Sequence, residues 1–411
     1  MKEVLQKVKE ASRVVSTLKG EVKRKVLKEM AKALIDNSKT IINENKKDLE
    51  YAKEANLSSA LIDRLLLDEK RVSSMAKALE DIAALKDPVG RVIDGWVLDN
   101  GLRIEKVKIP IGVIGIIYES RPNVTSDAAG LCFMSGNACI LKGGKEAMHS
   151  NKAIIKVLQD VLEQNSLPKE IISLLPDYSR EGVYKLIQED KYVDLIIPRG
   201  GEKLIKFVSE NSKVPVVKHD KGLCHIYVHT KADIKEGVDI VVNAKTQRPG
   251  VCNAVETLLV DEKIAKEFLP VVAKALEEKG VELRGCEKTR EIVDMKEATQ
   301  EDWHTEYLDL ILSIKVVSDL DEAIKHIEIY GSGHSDSIIT NDYNAAEEFL
   351  NRVDSACVYV NASTRFTDGG EFGFGAEVGI STNKLHARGP MGIDDLTTYK
   401  YKIYGNGQIR N

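Results

Sequence analysis

The sequence predicts an α/β protein with two parallel sheets, and three observations carry this prediction. Apolar strand-like runs alternate with amphipathic, helix-length segments from Ile109 to Lys218. A second series of the same kind runs from Ile226 to about Val360. Apolar strands separated by helices are typical of parallel sheets that are covered on both faces. At 411 residues the chain is also long enough for two or three domains.

The amino-terminal 86 residues are predicted to be helical. Apolar residues recur at every fourth position from Val22 to Leu34 with lysine and glutamate between them, which indicates a helix with one buried face. The segment Asp87-Pro88-Val89-Gly90 ends this region. Residues 91 to about 108 then alternate around Asp99-Asn100-Gly101, and Asn-Gly between two such runs predicts a β-hairpin.

The end of the chain is predicted to return to this hairpin. Residues Leu396 to Ile409 contain Thr-Thr-Tyr-Lys-Tyr-Lys-Ile-Tyr, which is typical of an edge strand. The hairpin lies outside the later strand and helix series. We therefore interpret the hairpin and the last strand together as an arm that docks on another subunit.

Between these β segments, strands and helices alternate. In the first series we predict strands Val113–Tyr118, Ala138–Leu141, Ile171–Leu175, Val193–Ile197 and Val214–Lys218, with helices Ser126–Ser135, Lys152–Gln164, Arg180–Glu189 and Glu202–Ser212. In the second series we predict strands Val255–Val260, Leu310–Val316 and Ser337–Thr340, with helices Asp233–Ala244, Ile264–Glu278 and Leu320–Ile327.

The composition of the chain argues against functions that depend on binding nucleic acid or membranes. Hydrophobic residues make up 43% of the chain and charged residues 30%, and the net charge of -5 gives no sign of binding to nucleic acid or membranes. No apolar run is long enough to span a membrane. The six cysteines show neither CxxC nor zinc-ligand spacing, so we expect a cytoplasmic protein without disulfides or a metal site.

The segment Lys245 to Glu256, Lys-Thr-Gln-Arg-Pro-Gly-Val-Cys-Asn-Ala-Val-Glu, carries the first candidate for chemistry. It joins a predicted helix to a predicted buried strand. Pro249 and Gly250 predict a tight turn there, with Gly250 supplying backbone geometry that other residues avoid. A Cys252 thiolate among polar neighbours is a competent acyl nucleophile. The competing interpretation is a small buried hydrophobe.

Two glycine turns follow strands of the first series. Lys142-Gly143-Gly144-Lys145 ends one strand, and Pro198-Arg199-Gly200-Gly201 ends another and begins a helix. Ligands bind at the carboxyl ends of strands in open α/β sheets, and bare amides at a helix start favour anions such as a pyrophosphate. Lysines there suit phosphates. Each turn alone is compatible with an ordinary loop, but two on one sheet are more informative.

Four separated segments carry a family resemblance. They are Tyr118-Glu-Ser-Arg-Pro-Asn-Val-Thr125, Gln247-Arg-Pro-Gly-Val-Cys252, the run from Ala323 to Asp336, and Tyr404-Gly-Asn-Gly-Gln-Ile-Arg410. Together they resemble the aldehyde dehydrogenase superfamily and, within it, the gamma-glutamyl phosphate reductases of proline biosynthesis. The similarity covers nearly the whole chain.

This resemblance implies two Rossmann-like α/β domains with parallel sheets and a small β oligomerisation arm. Residues 1–222 would form the amino-terminal helices and the NADP-binding domain, with the arm at about 91–108. Residues 223–358 would form the domain of the catalytic cysteine. Residues 359–411 would return to the cofactor domain and supply the oligomerisation strand.

The resemblance also assigns roles to individual residues. Cys252 falls on the family nucleophile. Lys142 corresponds to the residue that contacts the adenosine ribose of the cofactor, and Glu306 to the residue that binds the nicotinamide ribose. Pro198, Gly200 and Gly201 correspond to the turn beneath the cofactor phosphates. Lys145 stands where many NAD-preferring relatives carry an acid, so we expect it to attract the 2′-phosphate of NADP.

Two positions depart from the family pattern. Oxidative relatives carry a glutamate that activates water, and His219 stands near that position here, which fits a reductive enzyme. The oxyanion-hole asparagine has Asn123 as its candidate, although the local spacing differs. Arg121 and Arg365 are our candidates for gripping a carboxylate or phosphate of the substrate.

The reaction implied is NADPH-dependent reduction of L-glutamyl 5-phosphate to L-glutamate 5-semialdehyde with release of phosphate, through a Cys252 thioester. The resemblance further implies a homo-oligomer, either a dimer or a tetramer, and leaves open a functional link to glutamate 5-kinase. Two alternatives stay open. One is a CoA-acylating or oxidative aldehyde dehydrogenase of the same fold, and the other is a scaffold that binds a nucleotide without turnover.

Overall fold

A computed structural model of the chain describes residues 1–218 and 221–410. The chain forms two compact units: the first contains Met1–Lys218, Gly373–Gly379 and Met391–Asn411, and the second contains His219–Phe372 and Ile380–Pro390. Residues 359–372 and 380–390 therefore belong to the second unit, whereas the family resemblance implied that all of 359–411 returns to the cofactor domain. The reason is that Thr364 and Thr367 still hydrogen-bond to Asn253 and Ser335 of the second unit.

Helices occupy residues 1–86, as predicted. They are α1 (Lys2–Val15), α2 (Gly20–Asp36), α3 (Ser38–Glu54), α4 (Ser59–Leu65) and α5 (Glu69–Ala84). In α2 the predicted apolar face is buried at Val26, Met30 and Leu34, while Val22 is partly exposed. The predicted hairpin is also confirmed. Its strands β1 (Val92–Val97) and β2 (Arg103–Pro110) pair antiparallel, and Gly101 adopts the left-handed φ of 86° that the turn requires.

The first sheet is parallel and alternates with helices. Its elements are β3 (Val113–Tyr118), α6 (Pro122–Met134), β4 (Ala138–Lys142), α7 (Met148–Gln164), β5 (Ile172–Leu174), α8 (Arg180–Ile187), β6 (Leu195–Arg199) and α9 (Glu202–Asn211). The strand order is β5-β4-β3-β6. The predicted strand at 214–218 is wrong, because only an isolated bridge joins Val216 to Ile196. Pro215 has no N–H with which to extend a ladder.

The second sheet is also parallel. Its elements are β7 (Cys224–Val228), α10 (Ile234–Thr246), β8 (Val255–Asp261), α11 (Glu262–Glu277), β9 (Glu282–Gly285), α12 (Glu287–Arg290), β10 (Lys296–Glu297), β11 (Ile311–Val317), α13 (Leu320–Tyr330), β12 (Ser335–Ile339), α14 (Tyr343–Arg352) and β13 (Cys357–Val360). The strand order is β10-β9-β11-β8-β7-β12-β13. One buried cluster includes Phe268 of α11, and another includes Phe349 of α14. Helices therefore pack on this sheet in two separate cores.

The chain ends with two short strands and one longer strand. β14 (Gly379–Ser381) pairs with β15 (Gly389–Met391), and β16 (Thr397–Tyr404) pairs antiparallel with β2. The predicted return of the last strand to the hairpin is therefore confirmed, and β1, β2 and β16 form one three-stranded sheet. Within residues 1–218 and 221–410, no helix is long and apolar enough to cross a membrane.

Candidate active site

Cys252 lies in the turn between α10 and β8, at the amino-terminal edge of the second sheet. The predicted order of helix, turn and buried strand is confirmed, because α10 ends at Thr246 and β8 begins at Val255. We call residues 247–254 the Cys252 turn. Among the six free cysteines, four are buried, while Cys252 and Cys286 are partly exposed. The interpretation of Cys252 as a buried hydrophobe therefore fails.

Gly222 packs directly against the backbone of Cys252. A Cβ atom on Gly222 would lie 2.1 Å from the carbonyl oxygen of Cys252 and 2.4 Å from its Cα. At Gly250 φ is not left-handed, and a Cβ there would meet only the Leu308 carbonyl oxygen at 3.5 Å. The expectation that Gly250 supplies special backbone geometry is therefore wrong. The position that requires glycine is Gly222, because only hydrogen fits against the Cys252 turn.

Asn253 fastens the Cys252 turn to the segment that follows β13. Its side-chain nitrogen donates to the Thr367 carbonyl oxygen at 2.8 Å, and its own carbonyl oxygen accepts the Thr364 hydroxyl at 2.7 Å. Both contacts are buried. They fix the backbone immediately after the nucleophile candidate, so this neighbour of Cys252 has a positioning role that sequence reasoning missed.

Arg365 extends across the same turn. Its Nε donates to the side-chain oxygen of Gln247 at 2.9 Å, and its Nη1 donates to the side-chain oxygen of Asn253. Burial lowers the pKa of Arg365, and the neighbouring charge of Arg248 lowers it further. A guanidinium held by neutral amides and accompanied by a second cation favours an anionic ligand.

Cys224 also contacts the Cys252 turn. This buried thiol begins β7, and its Sγ donates to the Cys252 carbonyl oxygen at 3.2 Å. Burial raises the pKa of Cys224 well above its usual value, so the group stays a thiol and keeps its proton for this contact. Its sequence position gives no signal of this role.

Glu306 lies next to Gly222. Its Oε1 accepts the Gly222 backbone amide at 2.9 Å, so this predicted cofactor residue lies one contact away from the Cys252 turn. The loop of Glu306 is anchored by Asp302, which accepts the Tyr307 hydroxyl and the Arg284 guanidinium, each at 2.6 Å. Burial alone would raise the pKa of Asp302. The hydrogen bonds from Tyr307, Thr299 and Arg284 outweigh that effect and hold the pKa below its usual range.

A buried ion pair joins the two ends of the segment that carries Cys252. Lys245 Nζ lies 2.7 Å from Glu256 Oε2, and the side chains are 0% and 1% exposed. Burial raises the pKa of Glu256 to about 7 against the opposing effect of the Lys245 ammonium. Sequence reasoning missed this pair, although a glutamate inside the apolar run Val-Glu-Thr-Leu-Leu-Val was a signal.

The predicted cofactor residues of the first unit lie at the carboxyl edge of its sheet. Lys142 ends β4 and is 6% exposed. Its Nζ donates to the carbonyl oxygens of Gly143 and Tyr178 at 3.1 and 3.0 Å, and burial lowers its pKa. Lys145 is exposed, and its Nζ lies 5.7 Å from the Tyr51 ring centroid. The Lys142 ammonium therefore already bonds to two carbonyl oxygens, whereas the Lys145 side chain is exposed at the same edge of the sheet.

The turn Pro198–Gly201 ends β6 and leads into α9. Strands β3 and β6 are neighbours, while the chain runs from β3 to β4 and β5 on the other side. This reversal marks the crevice where open α/β sheets bind ligands. The Gly201 amide already donates to the Glu119 side chain at 2.9 Å, so a carboxylate occupies this helix start.

Arg121 and Asn123 lie at the start of α6, at the same edge. Both are exposed, and Asn123 Nδ2 donates to Asp127 Oδ2 at 3.0 Å. Burial raises the pKa of Asp127 to about 6. The structure therefore groups these two residues with the turns of the first unit. It groups Cys252, Glu306 and Arg365 in the second unit. His219 lies outside the described residues.

Comparison with known proteins identifies the family. Residues 1–310 and 291–401 match the model of the aldehyde dehydrogenase family. A gamma-glutamyl phosphate reductase of Nautilia profundicola is 83% identical over 410 residues, which is 100% of both chains. One of Nitratiruptor is 66% identical, also over 100% of both chains. The chain belongs to the aldehyde dehydrogenase family.

A solved structure agrees with this assignment to the aldehyde dehydrogenase family. The crystal structure of a gamma-glutamyl phosphate reductase from Thermotoga maritima matches with a TM-score of 0.98 at 51% identity, over 100% of this chain and 99% of that chain. The resemblance drawn from four sequence segments is therefore confirmed, as is the fold of parallel sheets with a small antiparallel sheet. As a family member the protein is an oxidoreductase that uses a nicotinamide cofactor.

Proposed function

We propose that the protein reduces L-glutamyl 5-phosphate to L-glutamate 5-semialdehyde with release of phosphate, in proline biosynthesis, with NADPH as reductant. The observation that carries the proposal is the Cys252 turn, where Cys252 is partly exposed, its backbone packs against Gly222, and Arg365 bonds to Gln247 and Asn253 of the same turn. Relatives named gamma-glutamyl phosphate reductase, one of them 83% identical over 410 residues, support it.

In this proposal Cys252 is the nucleophile. Its thiolate attacks the acyl carbon, and the phosphate leaves with the electron pair of the broken C–O bond, which gives a thioester. NADPH, when bound, supplies the hydride that reduces the acyl carbon. The Cys252 sulfur then leaves as the aldehyde C=O bond forms. The sum consumes one proton: acyl phosphate, NADPH and H⁺ give aldehyde, NADP⁺ and phosphate.

Arg365 is proposed to hold the phosphate or carboxylate of the substrate beside the nucleophile. Its contacts to Gln247 and Asn253 are to neutral amide oxygens, so they aim the guanidinium without neutralising its charge. Arg121 is proposed to share this task. Asn123 is proposed to stabilise the oxyanion, a role in which the loss of one donor typically costs ~3 kcal/mol.

The cofactor is proposed to be NADP(H). The residues that would hold the cofactor are Lys142, Lys145, Pro198, Gly200, Gly201 and Glu306. Lys142 has three ammonium protons, and its contacts to two carbonyl oxygens leave it suited to ribose hydroxyls. The exposed Lys145 suits the 2′-phosphate that distinguishes NADP from NAD.

The three-stranded sheet of β1, β2 and β16 is proposed to join subunits. It carries exposed apolar side chains, with Trp96 at 41%, Tyr401 at 51% and Ile403 at 61%. We propose a homo-oligomer, a dimer or a tetramer, which light scattering coupled to gel filtration would measure. The six free cysteines support a reducing, cytoplasmic setting. A functional link to glutamate 5-kinase is proposed because phosphorylation of the glutamate side-chain carboxylate would supply the acyl phosphate that this reaction consumes.

The proposal is tested in the reverse direction by following the absorbance of the NADPH that forms. Semialdehyde-dependent reduction of NADP should require phosphate and should be slow in phosphate-free buffer, with or without CoA. Cys252→Ser should abolish it, because a serine hydroxyl there lacks thiolate reactivity. Turnover that depends on CoA would favour a CoA-acylating enzyme, and fast turnover without phosphate would favour an oxidative one.

A further inference from the structure

The buried pair of Lys245 and Glu256 brackets the nucleophile. Lys245 lies in the last turn of α10, and Glu256 is the second residue of β8, so the pair closes the segment that contains Cys252. Burying two charges carries a large desolvation penalty, and an apolar pair of similar volume is often as stable. Stability alone therefore does not explain why charges occupy these positions.

Glu256 also connects this segment to the loop of Glu306. While Oε2 binds the Lys245 ammonium, Oε1 accepts the Leu308 backbone amide at 3.2 Å. Leu308 holds a left-handed φ of 54°, which is unusual for a branched residue. One carboxylate thus fixes three parts of the chain: the end of α10, the start of β8 and the loop that follows Asp302–His304.

The connection continues back to Cys252. Glu306, two residues before Leu308, accepts the Gly222 amide at 2.9 Å. Gly222 in turn lies against the Cys252 carbonyl group, without room for a Cβ atom. The contacts therefore form a closed circuit from the Cys252 turn through Gly222, Glu306 and Glu256 to the flank of that turn.

We propose that Lys245 and Glu256 are positioning residues that fix the Cys252 turn relative to the Glu306 loop. Their directional contacts specify one arrangement, whereas apolar side chains would allow the two segments to slide against each other. This inference rests on the proposed role of Cys252 as nucleophile. Neither side chain acts on the substrate directly; their effect is on the geometry of attack, to which reaction rates are sensitive.

The main test removes both charges and keeps the shapes. In the double variant Lys245→Met and Glu256→Gln, methionine fills the space of the lysine stem, and glutamine retains an acceptor for the Leu308 amide. We expect a folded protein in which kcat for phosphate-dependent semialdehyde oxidation falls at least tenfold while KM changes less than threefold. The rate of Cys252 alkylation by iodoacetamide, followed by peptide mass spectrometry, should change at least threefold.

A second variant decides the matter if the double variant does not fold. Glu256→Asp keeps both charges of the ion pair. The shorter aspartate side chain, however, cannot reach both the Lys245 ammonium and the Leu308 amide. We expect it to fold and to lose at least fivefold in kcat. Wild-type kcat and wild-type alkylation in either folded variant would overturn the proposal.

A matched control separates positioning from the general loss of a buried ion pair. In the first unit, Lys23 Nζ lies 2.6 Å from Asp87 Oδ2, with side chains 1% and 16% exposed. The variant Lys23→Met with Asp87→Asn should lower thermal stability but keep kcat within twofold. If this control lost as much kcat as the Lys245 and Glu256 variant, the loss would follow from the lower stability of the fold, and the proposal would be contradicted. The alkylation assay needs no turnover, so a wrong reaction assignment would appear separately, as an inactive wild type.

Discussion

Replacing Gly222 with alanine adds one methyl group against the backbone of the Cys252 turn. The new Cβ would lie 2.1 Å from the Cys252 carbonyl oxygen, 2.4 Å from its Cα and 2.6 Å from its carbonyl carbon. These are backbone atoms, so no side chain can rotate away to relieve the overlap. Either Gly222 or the Cys252 turn must move.

The size of the movement follows from these distances. Ordinary contact begins near 3.4 Å, and 3.4 minus 2.1 gives a displacement of about 1.3 Å at the carbonyl oxygen. A misplacement of ~1 Å at a reacting group can lower a rate about 10²-fold, which corresponds to about 2.7 kcal/mol in the barrier. Overpacking of this kind also costs about 1 to 3 kcal/mol of stability.

The assay is phosphate-dependent reduction of NADP by semialdehyde, together with urea unfolding. We expect Gly222→Ala to fold and to lose about 10²-fold in kcat. Gly250→Ala is the matched control, because its Cβ would meet only one atom at an ordinary 3.5 Å, and it should keep kcat within threefold. A folded Gly222→Ala variant with kcat within threefold of wild type would refute the reasoning.

The remaining predictions concern charge. Lys145→Glu should shift the kcat/KM ratio toward NAD by at least tenfold, since repulsion replaces attraction to a 2′-phosphate of about -1.5 to -2 charge; an unchanged ratio would place that phosphate elsewhere. Glu119→Gln should tighten NADP(H) binding severalfold in fluorescence titrations, because it removes the carboxylate from the start of α9; weaker binding would contradict this. Asp302→Asn should lose about 2 to 3 kcal/mol in urea unfolding at pH 7, through its contact with Arg284. Because the folded pKa of Asp302 lies below its usual value, its contribution is present above about pH 4 and fades as pH falls further, so the gap to wild type should narrow at pH 3. His219→Glu should raise semialdehyde oxidation in phosphate-free buffer; no change would mean that the new carboxylate does not reach the thioester.

Much of the architecture was predictable because it depends on local patterns. Apolar runs and amphipathic periodicity gave the helices and most strands, and Asn100-Gly101 gave the hairpin. The strand at 214–218 was wrong because Pro215 breaks the ladder. The short strands β9, β10 and β13 were missed because two to four residues carry too little periodicity to be recognised.

The candidate site was predictable only in part. The turn with Cys252 could be found from residue types, and the family resemblance supplied the residues that we propose to bind the cofactor. The need for glycine was assigned to Gly250, whereas it belongs to Gly222, since close approach depends on a contact between segments 30 positions apart. The same limit hid the contacts that Glu256 makes with Lys245 and the Leu308 amide.

The most direct test of the central claim counts the first turnover. Wild-type protein mixed with semialdehyde and NADP in phosphate-free buffer should release a burst of about one NADPH per active site and then stop, because the Cys252 thioester has no phosphate to attack it. Adding phosphate should restart turnover, and Cys252→Ser should show no burst. Steady NADPH formation without phosphate, or a full burst from Cys252→Ser, would contradict a reductase that works through this thioester.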